Sequence, residues 1–506
     1  MPTQEKTKTF IALTVTDLLN FLVGLFASIV MARLLTKADF GIFRETQFVF
    51  SFLAAFFLFE LPAAILYFLP RFKEDEQKVY LLALTLLGII SSLVMILIFL
   101  IFSESFESYF AKTTGTAPLF LLASLSAPFF MLFTFYRQIF ITLKKSRITL
   151  HLNLINSLLG ILPIAATFYF LDNPKIVFYL ILTGVAQSLV PALLALYYVF
   201  FDTFSSSPFR VRFRDVGDFV RKNLKDHWRY IWPLILPLPI SLLAKNFDRW
   251  LIVGALSTEA FAIYVIGAKQ IPMIGILRNA FMNISIPEIS AEYHRSGKVP
   301  ASALESWRKG IGLLALVFLP VFVFLEIFSP EFIVGLYSDK YAQSVPIFQV
   351  YAFSIPYFLL SFGYFIQGTG KTQKVLIANI VYFGTIFILC SVLIKIFRLV
   401  GPALGIMAGN FAMAGYYWWE ERKIIGGEVL GSKLRKELLS ILAEALIAGI
   451  IFKIGLLLLA PDLNQLLKLG IGLAGSSLLL LLIWKFRREE SLREIWNVLL
   501  RIAKRT

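Results

Sequence analysis

The sequence predicts an all-α polytopic membrane protein with fourteen transmembrane helices, arranged as two pseudo-symmetric six-helix lobes plus a C-terminal helix pair. The first supporting observation is composition. Of 506 residues, 58% are apolar and 16% are charged, and the mean hydropathy is +0.77. Soluble domains are about 25% charged and about half apolar, so a water-soluble globule and a disordered chain are both excluded. Long apolar segments and an internal repeat complete the argument.

A transmembrane helix needs roughly 20 predominantly apolar residues. Fourteen segments meet this requirement: 10–34, 39–69, 79–102, 117–142, 148–171, 176–201, 230–254, 260–287, 310–328, 345–367, 375–396, 402–420, 438–460 and 464–484. If both termini are cytoplasmic, the inner segments hold 33 Lys and Arg residues, and the outer loops and rims hold 7. Because Lys and Arg favour cytoplasmic loops, this asymmetry predicts that orientation. It also explains most of the net charge of +16 without nucleic acid as a partner.

The order of these segments predicts five parts of the chain. They are an N-terminal six-helix lobe (1–201), a basic cytoplasmic linker (202–229), a C-terminal six-helix lobe (230–423), an extra helix pair (424–485) and a basic amphipathic cytoplasmic tail (486–506). The tail alternates cations with apolar residues at helical spacing, which is typical of a helix on the inner leaflet. A solvated helical tail is the alternative.

Two pairs of segments indicate that the lobes are repeats. LLTKADFGIF (34–43) matches ALSTEAFAIY (255–264), and PLFLLASLSAPFFMLFTFY (118–136) matches PIFQVYAFSIPYFLLSFGY (346–364) with 7 of 19 positions identical. Because both halves begin on the same side, they are parallel repeats, and two such lobes can rock around a site near the midplane. Prolines inside the spans predict kinks, for which packing irregularity is the alternative. These prolines are Pro128, Pro233, Pro237, Pro239, Pro272 and Pro356.

Cations inside the spans are the candidates for substrate binding, because each costs about 2.5–3.5 kcal/mol when it faces lipid. The candidates are Lys269, Arg278, Lys245, Arg249 and Arg44. Lys269 lies ten residues into the eighth segment, roughly 15 Å along a helix and therefore near the midplane. Pairing with Asp248 is the alternative for Lys245 and Arg249, and snorkelling is the alternative for Arg44 and for Arg137 near an inner end. A cavity that leans positive suits an anionic passenger, most simply one that carries phosphate.

Three further polar residues, Asp17, Asn20 and Glu60, are candidates for binding a coupling H⁺ or Na⁺. A hydrogen bond between packed helices is the alternative for each. GTGKT (368–372) fails as a phosphate loop, because the pattern needs a glycine where Phe365 stands. The three histidines have no metal-ligand spacing and the single Cys390 allows no intrachain disulfide. No catalytic residue, metal or cofactor is therefore predicted, and a transporter is favoured over an enzyme.

The segment ARLLTKADFGIF and the GTGKTQK turn, with the fourteen helices and the repeat, carry a family resemblance. The chain resembles the polysaccharide transporters (O-antigen and exopolysaccharide flippases) of the multidrug/oligosaccharidyl-lipid/polysaccharide exporter superfamily. The arginine-rich segment of the lipid II flippase relatives, between helices one and two, is missing here. The resemblance implies a bacterial or archaeal plasma-membrane flippase that moves a polyprenyl-(pyro)phosphate-linked oligosaccharide to the outer leaflet. Its implied partners are that substrate, membrane lipid, H⁺ or Na⁺, and polysaccharide polymerase or assembly proteins.

Three other functions stay open from the sequence. An ion-coupled multidrug exporter of the same fold would use Asp17. A membrane glycan polymerase or ligase is the second alternative, although the longest outer loops, 103–116 and 329–344, have no room for a catalytic domain. A non-transporting scaffold of a cell-wall complex is the third.

Overall fold

The structure, a computed structural model, describes residues 2–112, 115–199, 201, 213–269, 286, 289–290, 292–360 and 362–488. It separates into two compact units. The first unit comprises Met1–Asn246 and Val253–Ala262, and the second comprises Phe247–Ile252 and Ile263–Thr506. The boundaries of the five predicted parts stay a prediction.

The described chain is built from α-helices and a few tighter or wider helical turns. The α-helices as far as Ala255 are α1 (Pro2–Leu34), α2 (Lys37–Phe57), α3 (Leu61–Phe68), α4 (Glu74–Phe106), α5 (Ala117–Ser124), α6 (Ala127–Thr142), α7 (Ser146–Leu159), α8 (Leu162–Tyr169), α9 (Ile176–Tyr198), α10 (Phe213–Ile235) and α11 (Leu238–Ala255). After it come α12 (Thr258–Gly267), α13 (Ala301–Ile327), α14 (Ser329–Tyr337), α15 (Val345–Ala352), α16 (Ser354–Leu360), α17 (Tyr364–Gly368), α18 (Thr372–Phe397), α19 (Val400–Ile425), α20 (Gly431–Leu459) and α21 (Gln465–Arg487).

Ten helical stretches of the described chain are long and apolar enough to cross a membrane. They are Lys37–Arg71, Glu74–Phe110, Ala117–Thr142, Ser146–Tyr169, Ile176–Tyr198, Arg214–Ala255, Ala301–Ile327, Gln373–Phe397, Gly431–Leu459 and Gln465–Arg487. The outward faces of these helices are apolar; Leu459 is 87% exposed and Ile447 55% exposed, as lipid contact allows and water does not. The all-α, multi-pass architecture is thus confirmed, and the ten stretches are consistent with the predicted fourteen.

Several predicted spans are broken rather than continuous. The second predicted segment, 39–69, divides into α2 and α3 because Phe59 and Glu60 have φ values of 47° and 54°. This left-handed conformation is unfavourable for residues other than glycine and ends the helix. The two copies of the repeat break at equivalent places, since α5 is followed by α6 around Leu125 and α15 is followed by α16 at Phe353. This shared break supports the internal repeat.

The first repeat segment also sets the beginning of α2. Thr36 is the N-cap: its hydroxyl oxygen accepts a hydrogen bond from the Asp39 backbone N–H at 3.0 Å, and the hydroxyl donates to Asp39 Oδ2 at 2.6 Å. Such a cap satisfies an amide at the helix start that has no partner within the helix. One turn later Gly41 lies against Thr258 of the second repeat segment, where a Cβ would stand 2.5 Å from the Thr258 carbonyl oxygen. The two repeat segments therefore approach each other at backbone distance.

The C-terminal pair α20 and α21 is joined by a buried carboxylate. Glu444 accepts hydrogen bonds from Trp484 Nε1 at 2.9 Å, Arg487 Nη1 at 3.0 Å and Arg488 Nε at 3.2 Å. Charge-assisted bonds to a buried group are stronger than neutral ones. This cluster joins the middle of α20 to the C-terminal end of α21. The predicted tail 486–506 lies outside the described residues beyond Arg488.

Candidate functional site

The first unit contains two adjoining cavities, of about 130 Å³ and about 310 Å³, inside a largely apolar bundle. They share Phe43, Gln47 and Gln187 as lining residues. We call them together the amide cavity. Its walls come from helices α1, α2, α5, α7, α8 and α9, and its polar side chains are Asn20, Arg44, Gln47, Asn156, Ser157 and Gln187 in the smaller part and Thr46, Ser51, Ser126 and Ser188 in the larger part.

One wall of the amide cavity is a hydrogen-bonded set of amides on α1, α7 and α9. Asn20 Oδ1 accepts from Ser157 Oγ at 2.6 Å and from Asn156 Nδ2 at 3.4 Å. Gln187 Nε2 donates to the Asn156 carbonyl oxygen at 3.3 Å. The helices come close here because Gly160 has no side chain; a Cβ at that position would lie 2.9 Å from Val23. The amides are therefore held in place by tertiary bonds.

The opposite wall carries the cation of the amide cavity, Arg44. Its Nη1 donates to Gln47 Oε1 at 3.0 Å, one helical turn along α2. The guanidinium carbon lies 5.0 Å from the Phe40 ring centroid and 5.8 Å from that of Phe43, within the range of cation–π attraction. Arg44 is half-buried and lines the cavity with Asn20. The structure thus brings together Arg44, a predicted substrate-binding residue, and Asn20, a predicted ligand of a coupling ion.

A second polar ladder runs beside this cavity between α6, α7 and α1. Arg137 Nε donates to Asn153 Oδ1 at 2.9 Å, and Asn153 Nδ2 donates to Thr16 Oγ1 at 3.2 Å. Asn153 and Thr16 are almost completely buried. Arg137, for which snorkelling was the alternative, therefore satisfies an amide within the bundle.

The remaining coupling-ion candidates occupy other positions in the first unit. Glu60 lies at the break between α2 and α3 and is half-buried. The side chain of Asp17, in α1, lies outside the described residues. Lys245, a candidate for substrate binding, also belongs to the first unit and is exposed on α11.

The second unit holds the remaining candidates for substrate binding that the structure describes, Lys269 and Arg249. Lys269 follows α12, which ends at Gly267, so the prediction that it lies within a continuous helix 260–287 is wrong. Gly267 has low helix propensity, and its Cα packs so closely that a Cβ would stand 2.7 Å from the Ser344 carbonyl oxygen. Lys269 Nζ donates to Tyr337 Oη at 2.7 Å and lies 5.0 Å from that ring's centroid. Arg249 is half-buried on α11, and Arg278 lies outside the described residues.

Asp248, beside Arg249, is a buried carboxylate of this unit. Its Oδ2 accepts hydrogen bonds from Tyr264 Oη at 2.7 Å and Tyr351 Oη at 2.5 Å. Two tyrosine hydroxyls therefore stabilise the Asp248 carboxylate, and its pairing with Lys245 and Arg249 stays an alternative prediction. Sequence reasoning missed this cluster, although Tyr264 ends one repeat segment and Tyr351 lies inside another.

Sequence reasoning also missed the amides Gln47, Asn156 and Gln187. The available signal was an amide side chain inside an apolar span. The chemistry that results is specific: amides and hydroxyls supply both donors and acceptors, and one guanidinium supplies positive charge. Such a lining can bind a neutral polyol or an acidic sugar. Among the described residues, no group of three or more His, Cys, Asp or Glu side chains could hold a metal.

A family model described as "Polysaccharide biosynthesis protein" matches residues 7–292, more than half of the chain and all of the described amide cavity. The chain belongs to this family. No curated protein matches this sequence.

Solved structures share its fold. A lipid II flippase MurJ in an inward closed conformation aligns with a TM-score of 0.69 at 14% identity, covering 94% of this chain and 99% of that one. An inward-facing multidrug resistance MATE transporter of the MOP superfamily aligns with a TM-score of 0.56 at 17% identity, covering 85% and 99%. A MOP superfamily transporter from Pyrococcus furiosus aligns with a TM-score of 0.53 at 19% identity, covering 83% and 96%. The chain therefore shares the fold of these membrane transporters.

Proposed function

We propose that the protein is a flippase that moves a polyprenyl-(pyro)phosphate-linked oligosaccharide from the cytoplasmic to the outer leaflet by alternating access, with cytoplasmic termini in a bacterial or archaeal plasma membrane. Family membership supports a role in polysaccharide biosynthesis. The fold is shared with the lipid II flippase MurJ, and this supports transport across the membrane.

The amide cavity is the observation that carries this proposal. A polar cavity within a membrane bundle costs free energy unless a polar ligand or water fills it. Sugar hydroxyls pair with Gln47, Asn156 and Gln187, whose side chains both donate and accept. Arg44 pairs with phosphate or with a carboxylate of an acidic sugar.

The other cations have a role in this proposal as well. Lys245, Arg249, Lys269 and Arg278 hold the pyrophosphate, while the polyprenyl tail stays in lipid. An inside-negative potential favours outward movement of the head group by about 2.3 kcal/mol per charge per 100 mV. Asp17, Asn20 and Glu60 remain the proposed ligands of a coupling H⁺ or Na⁺.

The test is transport by the full-length protein in proteoliposomes. A fluorescent polyprenyl-pyrophosphate-linked oligosaccharide is loaded, and its exposure to a membrane-impermeant quencher is followed. The proposal expects equilibration that depends on the protein and is accelerated by an inside-negative potential. Equal rates with protein-free vesicles would refute it.

An ion-coupled multidrug exporter is the second candidate function, because the MATE structures share this fold. The same vesicles distinguish it: cation-driven accumulation of a lipophilic cationic dye, with no movement of the lipid-linked glycan, would favour export. A glycan polymerase or ligase would instead lengthen or transfer the glycan, which mass spectrometry of the extracted lipid detects.

A further inference from the structure

A groove of about 570 Å³ lies on the first unit, between α10 and the pair α3 and α4. Its lining is almost entirely carbon, and the deep end is formed by Phe59, Leu84, Leu87, Ile231 and Ile235. We call it the α10 groove. An apolar groove of this size beside water would be unfavourable, whereas a hydrocarbon chain fits it.

Helix α10 is held over this groove by aromatic stacking. The His227 ring stacks on Phe68 at 3.8 Å between centroids, and Tyr230 stacks on Tyr67 at 4.2 Å. Phe219 meets Phe72 edge-on at 5.1 Å. These contacts keep one face of α10 against α3 and α4 while the other stays open.

Two polar atoms at one end of the groove have no hydrogen-bond partner among the described residues. Tyr80 is 3% exposed, and its hydroxyl is unpaired. His227 Nδ1 lies 2.9 Å from the Asn223 carbonyl oxygen, which only accepts, so Nδ1 carries the proton. His227 Nε2 is left buried and unpaired. Buried polar atoms in native proteins almost always have a partner, so a hydroxyl donor here calls for an acceptor on a ligand.

The part of α10 around this polar end is basic. Between Asp218 and Arg229 the helix carries four cations against two anions, and Arg221, Lys225 and Arg229 are exposed. Lys225 and Ile235 are ten residues apart, about 15 Å along a helix, which is half of a hydrocarbon core about 30 Å thick. Trp228 and Trp232 stack at 5.2 Å on the open rim, where interfacial aromatics are usual.

We propose that the α10 groove binds an anionic phospholipid of the inner leaflet. One acyl chain lies in the groove, the Tyr80 hydroxyl donates to an ester carbonyl oxygen, and Arg221 and Lys225 face the phosphate. The order cation, hydroxyl, hydrocarbon along α10 is the order phosphate, ester, acyl chain along such a lipid. A polyprenyl phosphate has no ester carbonyl between its phosphate and its hydrocarbon chain, so it offers the Tyr80 hydroxyl no acceptor at the depth of the chain. This site is separate from the amide cavity and does not depend on the flippase activity.

Native mass spectrometry of the delipidated full-length protein tests this site. Phosphatidylglycerol and phosphatidylcholine with identical chains are titrated separately. We expect phosphatidylglycerol to bind about tenfold more tightly, from two charge contacts at a partly exposed rim. Tyr80→Phe removes one oxygen and should weaken binding of both lipids about fivefold, as loss of one hydrogen bond does. Arg221→Gln with Lys225→Gln should make the two lipids bind equally.

A matched pair of tryptophan substitutions on α4 tests the location. Ala83→Trp places a ring in the groove and should abolish the tight site, whereas Leu93→Trp, at a 58% exposed position outside the groove, should leave it intact. Equal affinity for the two lipids in the unsubstituted protein would overturn the proposal. Unchanged lipid binding in Tyr80→Phe would also overturn the proposal. If Ala83→Trp does not fold, the Tyr80→Phe measurement alone tests the site. Displacement of phosphatidylglycerol by equimolar polyprenyl phosphate would assign the groove to the substrate tail instead.

Discussion

Replacing Arg44 with glutamine should slow flipping by about 10- to 100-fold. The guanidinium is half-buried in the amide cavity, where Gln47 and the Phe40 ring hold it in position. A hydrogen bond from a charged group to a ligand contributes about 1.5–3 kcal/mol, and 1.4 kcal/mol corresponds to a factor of ten. Arg44→Lys keeps the charge but loses the planar pair of donors, so we expect a loss of about five- to tenfold.

Initial rates in proteoliposomes with a labelled lipid-linked oligosaccharide measure this effect. Arg33→Gln is the matched control, because Arg33 is an exposed cation near the same end of the bundle and does not line the cavity. It should change the rate by less than twofold. Thermal unfolding of each purified variant separates a loss of function from a loss of folding. If Arg44→Gln flips within twofold of the unsubstituted protein, the assignment of Arg44 to the substrate is wrong.

Three further predictions concern packing and buried charge, and thermal unfolding in detergent measures each. Gly41→Ala should destabilise by about 1–3 kcal/mol because its Cβ meets the Thr258 carbonyl oxygen, whereas Gly384→Ala, with open space around it, should be neutral or stabilising; equal effects would refute the close approach. Glu444→Ala should cost about 3 kcal/mol and increase amide exchange around the middle of α20 and the C-terminal end of α21, and unchanged exchange there would contradict the role given to this cluster. Asp248→Asn should cost about 2 kcal/mol by weakening two short hydrogen bonds, and unaltered stability would show that they contribute little.

The sequence predicts helices best where apolar residues run long without charge. The predicted segments 438–460 and 464–484 fall within or close to α20 and α21, since hydrophobicity over some 20 residues is a local property. The break at Phe59 and Glu60 was not predicted, although Pro62 lies in the first turn of α3, where proline is typical of a helix start. The left-handed backbone of Phe59 and Glu60 is not what these residue types prefer, so the sequence gives no sign of it.

Helix α10 is the second feature that the sequence did not predict, because much of it is highly charged. Residues 213–229 of the predicted basic linker, 202–229, form most of α10 and pack aromatic side chains against α3 and the segment between α3 and α4. Cations on the open face lower the average hydrophobicity, although Phe219, His227 and Tyr230 follow helical spacing.

The candidate site was predicted only in part. Isolated charges in apolar spans are visible in a sequence, and for this reason the sequence predicts Arg44 and Lys269 as substrate-binding residues. The amide cavity depends on bringing Asn156 near Gln187, 31 positions later, and Asn20, 136 positions earlier. A hydropathy sum shows that these amides lie in apolar spans, but it does not show which of them are neighbours, so only the fold shows that these side chains converge.

Protection of an introduced cysteine tests most directly whether the amide cavity takes up the glycan. Gln47→Cys is made in a Cys390→Ser background, which removes the single, buried native thiol. Its alkylation rate is measured in proteoliposomes with lipid-linked oligosaccharide, with sugar-free polyprenyl pyrophosphate, or with neither. Protection by the oligosaccharide alone is the predicted result. Equal alkylation under all three conditions, in a variant that still flips, would contradict it.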